Sequence, residues 1–244
     1  MGTFMTNADK MLKAIDAHIT KTIHQYKEGI IFYGSFIEAQ WGLGTPVRDI
    51  DVTVIINTPN DLGIENLDTT TIRIPECGNL DINIEFVDHG QYVSDIMDLE
   101  PKFLMFYTPD QFLNRSIGTR FGMLNRGHIR KRISRAADKA FDKGRKKLVK
   151  VDDYDPVLGL KNIYHAFKFP VFMMWHYYDI NDGLNMDHAK ELQIIYLQEI
   201  RMKIEKIYYS TEGTLDERCR AVLDFAKPEW NKLMTSFRKF FPKE

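Results

Sequence analysis

Two aspartates separated by one residue, Asp49 and Asp51, are the residues of this sequence best suited to hold a metal ion. They begin the run 49–56, which alternates polar with apolar residues and then becomes wholly apolar, as a central β-strand does. Side chains two positions apart share a strand face, so the carboxylates would project together, roughly 6–7 Å apart along the strand. Mg²⁺ ions between them would relieve their repulsion and suit in-line phosphoryl transfer. An exposed strand edge is the alternative interpretation.

A third acid could come from the strictly alternating run 80–87, where Asp81, Asn83 and Glu85 share one face. If this strand pairs beside the Asp49 strand, one of its acids completes a three-carboxylate cluster. We expect Asp81 to hold the catalytic metal and to orient or deprotonate the attacking hydroxyl. Glu85 is the alternative third acid, and either residue could instead be an ordinary solvent-facing polar residue.

A turn of small residues, Gly34-Ser35, follows the apolar run 29–33 and precedes a short predicted helix over 36–40. Small residues at a turn from strand to helix let backbone N–H groups approach phosphate oxygens, and the helix N-terminus adds a favourable dipole. The turn therefore predicts a phosphate-binding position, although a Gly-Ser pair by itself carries little information.

Short strands and a series of helices must position these residues. Strands are predicted over 29–33, 49–56 and 80–87, and an amphipathic helix over about 8–27. Beyond residue 90 the strand pattern ends, and helices are predicted over 91–99, 120–147, 155–180, 186–209 and 214–240. Pro170 and Pro228 are expected to kink or interrupt their helices.

This order of elements predicts an α+β fold in two domains. Residues 1–115 would form a small mixed β-sheet with flanking helices, and residues 116–244 a helical domain. No apolar run approaches the roughly 18 residues that a membrane span needs. The two cysteines have no metal-ligand spacing, and the N-terminus has no signal-peptide pattern, so we expect a cytoplasmic protein without a membrane partner. Gly2 and Thr6 match a loose myristoylation pattern that often occurs by chance.

The charge of the chain is unevenly distributed. The net charge is −1, yet the segment 120–150 holds twelve Lys and Arg against only Asp138 and Asp142, a local net of +10. Such a segment can steer a polyanion to one face, although a solvated, salt-bridged helix is the alternative. The candidate nucleic-acid-binding residues are Arg126, Arg130, Lys131, Arg132 and Arg135.

The ordered series Tyr33-Gly34-Ser35, then Gly42-Leu-Gly-Thr-Pro-Val-Arg-Asp49-Ile-Asp51, then Leu80-Asp81-Ile82 resembles the DNA polymerase β-type nucleotidyltransferase superfamily. The Gly-Leu-Gly-Thr-Pro segment looks most like the RNA-repair-associated branch, which bacteria and phages encode. The resemblance covers roughly residues 30–90, and it implies a nucleotidyltransferase fold for the N-terminal domain.

The resemblance also implies roles for these residues. Gly34 and Ser35 would bind the β,γ-phosphates of an NTP, for which ATP is our first choice. Asp49, Asp51 and Asp81 would hold two Mg²⁺ ions, with Mn²⁺ as an alternative metal. A nucleoside monophosphate would pass to a hydroxyl acceptor with release of pyrophosphate.

Three residues in the helical half, Lys161, His165 and Lys168, lie at i, i+4 and i+7 and so share one helix face. This face is similar to the Lys…His…Arg/Lys face of the RNA-repair-associated branch, which lies against the nucleotide. The lysines would neutralise triphosphate charge, and His165 would bond a phosphate or the leaving group. A surface stripe with one satisfied histidine is the alternative.

The sequence thus predicts a Mg²⁺-dependent nucleotidyltransferase, and the basic segment favours an RNA or tRNA acceptor. Two alternatives remain open. The acceptor could be a small molecule, such as an aminoglycoside in an acid-lined pocket, or a protein hydroxyl. The chain could also be a non-catalytic nucleotide- or RNA-binding module, which the presence of both Asp49 and Asp51 disfavours. The sequence does not determine the number of nucleotides added or the oligomeric state.

Overall fold

The computed structural model describes residues 5–23, 27–40, 43, 47, 49–57, 70–181 and 186–243. The chain forms two compact units, Met1–Arg120 and Phe121–Glu244, whereas the predicted boundary follows residue 115. Each unit is described by itself below. The architecture is mixed α/β with a helical C-terminal region, and it confirms the predicted fold class.

The first unit contains a five-stranded mixed sheet in the order β3-β4-β2-β1-β5. Its strands are β1 (Lys27–Tyr33), β2 (Asp49–Ile56), β3 (Thr70–Ile72), β4 (Asp81–Asp88) and β5 (Phe106–Tyr107). β2 and β4 are parallel and pair in the register Asp49↔Asp81 and Asp51↔Asn83. The other pairs are antiparallel. β2 and β4 are therefore neighbours, as the third-acid hypothesis requires.

The helices that flank this sheet are α1 (Met5–Ile23), α2 (Gly34–Gln40), α3 (His89–Met97) and α4 (Gln111–Gly122). Apolar residues of α1 and α2 bury one face of the sheet. Ile15 and Ile19 of α1 belong to the same core cluster as Ile50 and Val52 of β2. Because side chains alternate along a strand, burying Ile50 and Val52 on this side turns Asp49 and Asp51 to the opposite face.

The second unit is helical and contains α5 (Arg126–Val149), α6 (Pro156–Asn181), α7 (Met186–Tyr208) and α8 (Leu215–Phe240). The Asn125 side chain caps α5 by accepting a hydrogen bond from the His128 backbone N–H. Thr214 and Glu217 form a capping box at the start of α8. None of the helices in the described part of the chain combines the length and apolar character needed to cross a lipid bilayer.

Local differences separate this fold from the predicted elements. The helix predicted over about 8–27 is α1, which ends at Ile23, and Lys27 already belongs to β1. The single helix predicted over 120–147 is divided into α4 and α5, because Asn125 caps a new helix. β3 and β5 have three and two residues, too short to show an alternating pattern. Neither Pro170 nor Pro228 interrupts its helix. A helix-interior proline costs about 3 kcal/mol, which tertiary packing of a long helix can outweigh.

Candidate active site

Asp49 and Asp51 lie half-buried at the start of β2, with their carboxylates directed at the same amide. Nδ2 of Asn83 on β4 lies 3.5 Å from Oδ2 of Asp49 and 3.4 Å from Oδ1 of Asp51. Oδ1 of Asn83 accepts a hydrogen bond of 3.0 Å from the Thr71 hydroxyl on β3. The two carboxylates therefore share one face of the sheet, as their spacing predicted.

The Gly34-Ser35 turn packs directly against these carboxylates. The last residue of β1, Tyr33, pairs with Asp51, so the chain turns beside the aspartates. Gly34 has a φ of +75°, and a Cβ built on it would lie 2.2 Å from Oδ2 of Asp51. The Ser35 hydroxyl donates a hydrogen bond of 3.2 Å to Oδ1 of Asp49. A larger residue than glycine would displace the Asp51 carboxylate.

Asp81 lies beside Asp49 in the β2–β4 register, but its side chain is paired with Arg73. Arg73 Nε donates to Oδ1 of Asp81 over 2.5 Å, and this bond holds the pKa of the Asp81 carboxyl below its usual range. The ion pair is exposed, with 69% of the Arg73 side chain and 43% of the Asp81 side chain accessible. The metal-binding role of Asp81 therefore stays a prediction.

Glu85, the alternative third acid, also has partners of its own. It accepts hydrogen bonds from the buried Thr53 hydroxyl at 2.9 Å and from Lys102 Nζ at 2.7 Å. Lys102 Nζ lies 2.9 Å from Oδ2 of Asp95 as well. Burial lowers the pKa of Lys102, but the bonds to Glu85 and Asp95 outweigh it and raise the pKa above its ordinary value. Within the described residues, no three His, Cys, Asp or Glu side chains are gathered as a metal site.

A cavity of about 830 Å³ opens beside Asp51 and Asn83. Its charged lining residues are Asp51, Glu85, Asp95, Glu100 and Lys102. The lining is therefore acidic, and the volume lies within the range of small-molecule sites. Sequence reasoning missed Asp95, Glu100 and Lys102, because they belong to α3 and the following turn and carry no motif of their own.

The donors around Asp49 and Asp51 suit a divalent cation. Mg²⁺ is commonly held by one or two protein carboxylates together with substrate phosphates and waters, all of them oxygen ligands. Asp49 and Asp51 supply the carboxylates, and the missing Cβ of Gly34 leaves the space that the Asp51 carboxylate occupies. These residues fit Mg²⁺, with Asp49 and Asp51 as the groups that would hold it.

The predicted nucleotide-binding face of α6 lies in the second unit. Lys161 is exposed, His165 is half-buried and Lys168 is buried. Burial, together with the nearby lysines 168, 161 and 143, lowers the pKa of His165 to about 3. The imidazole is therefore neutral near pH 7, so it can exchange hydrogen bonds but cannot supply a positive charge. The role of this face toward a nucleotide stays a prediction.

The candidate nucleic-acid-binding residues lie along α5, and Arg126 and Arg130 form hydrogen bonds within the protein. Arg126 Nε donates to the Tyr177 hydroxyl at 2.7 Å. Arg130 donates to the carbonyl oxygens of Arg238 and Phe241 at 2.9 and 3.4 Å, at the end of α8. Arg132 is half-buried.

Lys131 and Arg135 are exposed and continue a stripe of basic residues along α5. With Lys139 and Lys143, which are also exposed, they recur every four residues. We call Lys131, Arg135, Lys139 and Lys143 the α5 basic stripe. The stripe offers accessible cations to a polyanion, and Arg126 in the first turn of α5 is exposed as well.

The Gly-Leu-Gly-Thr-Pro segment that precedes Asp49 lies outside the described residues, apart from Leu43. No family model matches the chain, and no curated protein matches it. A nucleotidyltransferase-like protein from Exiguobacterium sibiricum 255-15, known from a crystal structure, is similar at 14% sequence identity and a TM-score of 0.37. The similarity covers 91% of this chain and 76% of that one. So distant a likeness establishes neither activity nor substrate.

Proposed function

We propose that this chain is a Mg²⁺-dependent nucleotidyltransferase. It moves a nucleoside monophosphate from an NTP, with ATP as the first candidate, to an acceptor hydroxyl and releases pyrophosphate. The observation that carries this proposal is the contact between the Gly34-Ser35 turn and the aspartate pair. A phosphate held at the turn would lie next to a cation held by Asp49 and Asp51.

The residues of the first unit divide the reaction between them. Asp49 and Asp51 hold the cation, and Gly34 and Ser35 bind the β,γ-phosphates. When bound, two Mg²⁺ ions would supply positive charge to the triphosphate and activate the attacking oxygen. The acid that orients or deprotonates the acceptor hydroxyl is Asp81 in our first assignment and Glu85 in the second. Each is bonded to a basic side chain of the protein, Asp81 to Arg73 and Glu85 to Lys102.

The second unit adds proposed contacts to the polyanionic substrates. Lys161 and Lys168 would neutralise phosphate charge, and the neutral His165 would donate or accept one hydrogen bond. The α5 basic stripe supports an RNA or tRNA acceptor, because accessible lysines and arginines at regular spacing suit a phosphate backbone.

A small cationic molecule is the second candidate acceptor, and the cavity beside Asp51 favours it. Four carboxylates and one ammonium line that cavity, so it repels a phosphate backbone and attracts an amine-bearing compound. The transfer chemistry would be unchanged, and only the acceptor would differ.

Transfer of label from α-³²P NTPs tests both candidates. Each NTP is incubated with Mg²⁺ and total small RNA, or with polyamine and aminoglycoside acceptors, and the products are separated on denaturing gels and thin-layer plates. The controls are Asp49→Asn, which should be inactive, and Asp152→Asn, an exposed aspartate of the second unit, which should act as wild type.

Labelled RNA that disappears in Asp49→Asn would establish the RNA acceptor. Labelled amine compounds with unlabelled RNA would establish the small-molecule acceptor. Absence of transfer in every arm, with the NTP still bound, would contradict the proposed activity and favour a binding module.

A further inference from the structure

The register of β2 and β4 places an amide, not a carboxylate, next to Asp51. Asn83 is the direct partner of Asp51 across the parallel pair, and its side chain lies on the face shared by the aspartates. Asp81 and Glu85 lie one pleat away on either side. Asn83 is therefore the β4 residue whose side chain contacts both members of the pair.

Asp81 and Glu85, the two acids of β4 on this face, each form an ion pair with a basic side chain of the protein. Arg73 is bonded to Asp81, and Lys102 is bonded to Glu85. A metal bound at either acid would share the carboxylate with that basic side chain and lie close to its positive charge. Asn83 can approach a cation between Asp49 and Asp51 from a position that carries no bonded cation.

We propose that Asn83 supplies the third protein ligand of the cation site, an inference that rests on the proposed function. In this structure its Nδ2 faces both carboxylates, and its Oδ1 accepts from the Thr71 hydroxyl. Rotation of the amide by about 180° about χ2 exchanges its oxygen and nitrogen. Oδ1 then faces the cation, and Nδ2 donates to the Thr71 oxygen. Thr71 supports both orientations because a hydroxyl both donates and accepts hydrogen bonds.

A neutral third ligand has a consequence that can be measured. The protein contributes two negative charges to the site instead of three, so the cation depends more on the NTP phosphates for its affinity. Asn83→Asp adds the third charge and should tighten cation binding in the absence of nucleotide. Asn83→Leu has nearly the same size but offers no oxygen, and it should weaken binding.

The test is Mn²⁺ binding to the full chain without nucleotide, measured from the electron paramagnetic resonance signal of free Mn²⁺. We expect Asn83→Leu to bind about tenfold more weakly and Asn83→Asp about tenfold more tightly than wild type. Asp81→Asn and Glu85→Gln should each weaken binding less than Asn83→Leu does. The same two changes at the exposed Asn231 of α8 are matched controls for altered charge and size, and circular dichroism checks the fold of each variant.

The proposal is overturned if Asp81→Asn or Glu85→Gln weakens Mn²⁺ binding more than Asn83→Leu does, or if Asn83→Asp binds no more tightly than wild type. Should Asn83→Leu fail to fold, the Asn83→Asp comparison still decides. An unchanged Mn²⁺ affinity in Asp49→Asn would show that Mn²⁺ does not bind at the aspartate pair, and it would contradict the Asn83 proposal as well. The variants could show the predicted order of Mn²⁺ affinities while the chain transfers no nucleotide to any acceptor. That result would support the Asn83 proposal and contradict the proposed activity.

Discussion

At the scale of single residues, the acids of the β2–β4 face differ in what each one contacts. Asp81 is bonded to the exposed Arg73, and Glu85 to the half-buried Lys102. Asp49 and Asp51 instead converge on the Asn83 amide, beside a glycine that has no room for a side chain. The four carboxylates lie on the same face of two neighbouring strands, yet each has different contacts.

Gly34→Ala should abolish the proposed nucleotide transfer without unfolding the chain. The new Cβ would collide with Asp51, and displacing a reacting group by about 1 Å can reduce a rate about 100-fold. Gly78→Ala is the matched control, because Gly78 also has a positive φ but a Cβ there meets no atom within 4 Å. Nucleotide transfer and thermal melting are measured for both. Equal activity of the two variants would contradict the proposed role of the Gly34 turn.

His165→Gln should make the stability of the chain less sensitive to acid. Native His165 has a pKa of about 3, whereas an unfolded histidine titrates near 6.5. Between these values the unfolded state binds more protons, so His165 lowers the stability as the pH falls from about 6.5 toward 3. The slope contributed is at most about 1.4 kcal/mol per pH unit.

Urea denaturation at a series of pH values from 7 to 4 measures this slope. The free energy of unfolding of His165→Gln should decrease less than that of wild type over this range. Identical pH dependence of the two proteins would show that His165 is protonated normally in the native state.

At the scale of elements, two glycines let α5 and α6 approach closely. A Cβ at Gly144 would lie 2.8 Å from the carbonyl oxygen of Gly159 and 2.9 Å from the Ile163 side chain. A Cβ at Gly159 would lie 2.8 Å from Leu148. This close packing fixes α5, which carries the α5 basic stripe, against α6, which carries Lys161 and His165.

Gly144→Ala should destabilise the second unit although alanine is the better helix former. Alanine gains about 1 kcal/mol in helix propensity, but overpacking against backbone costs about 1–3 kcal/mol. Urea denaturation should therefore show a net loss. Lys139→Ala, at an exposed position of the same helix, should change the stability by less than about 0.5 kcal/mol. A more stable Gly144→Ala variant would mean that α5 and α6 separate readily.

At the scale of the whole molecule, opposite charges are concentrated in different units. The acidic cavity belongs to the first unit, and the α5 basic stripe belongs to the second. A net charge of −1 conceals this separation. Binding of a polyanion should therefore depend on particular lysines and arginines rather than on the overall charge.

Replacing the four residues of the α5 basic stripe by Gln should weaken the proposed RNA binding and make the RNA affinity less dependent on the salt concentration. If each contacts one phosphate of single-stranded RNA, the slope of log K against log salt should decrease by about 3. Changing the exposed lysines 10, 13, 203 and 206 to Gln removes the same charge from α1 and α7 and is the control. Fluorescence anisotropy with a labelled oligonucleotide measures both slopes. Equal decreases of the slope in the two variants would show that RNA binding depends only on the net charge of the chain.

Much of the fold and part of the candidate site follow from local patterns in the sequence. Alternation in 49–56 predicted both β2 and the shared face of Asp49 and Asp51, because burying one face of a strand exposes the other. Helical periodicity likewise predicted α6, α7 and α8, whose apolar residues recur with the helical repeat. β3 and β5 were not predicted, because two or three residues cannot display a repeat.

The partners of the candidate site residues were decided only by the tertiary structure. Alternation in 80–87 puts Asp81, Asn83 and Glu85 on one face without indicating which of them lies opposite Asp51. The parallel register with β2 places Asn83 opposite Asp51. This register depends on how both strands pack in the core cluster that includes Ile15 and Ile19 of α1. The bonds of Arg73 to Asp81 and of Lys102 to Glu85 join different elements in space. Sequence periodicity records which side of an element is buried, whereas the identity of a contact depends on register and packing between elements that no local pattern encodes.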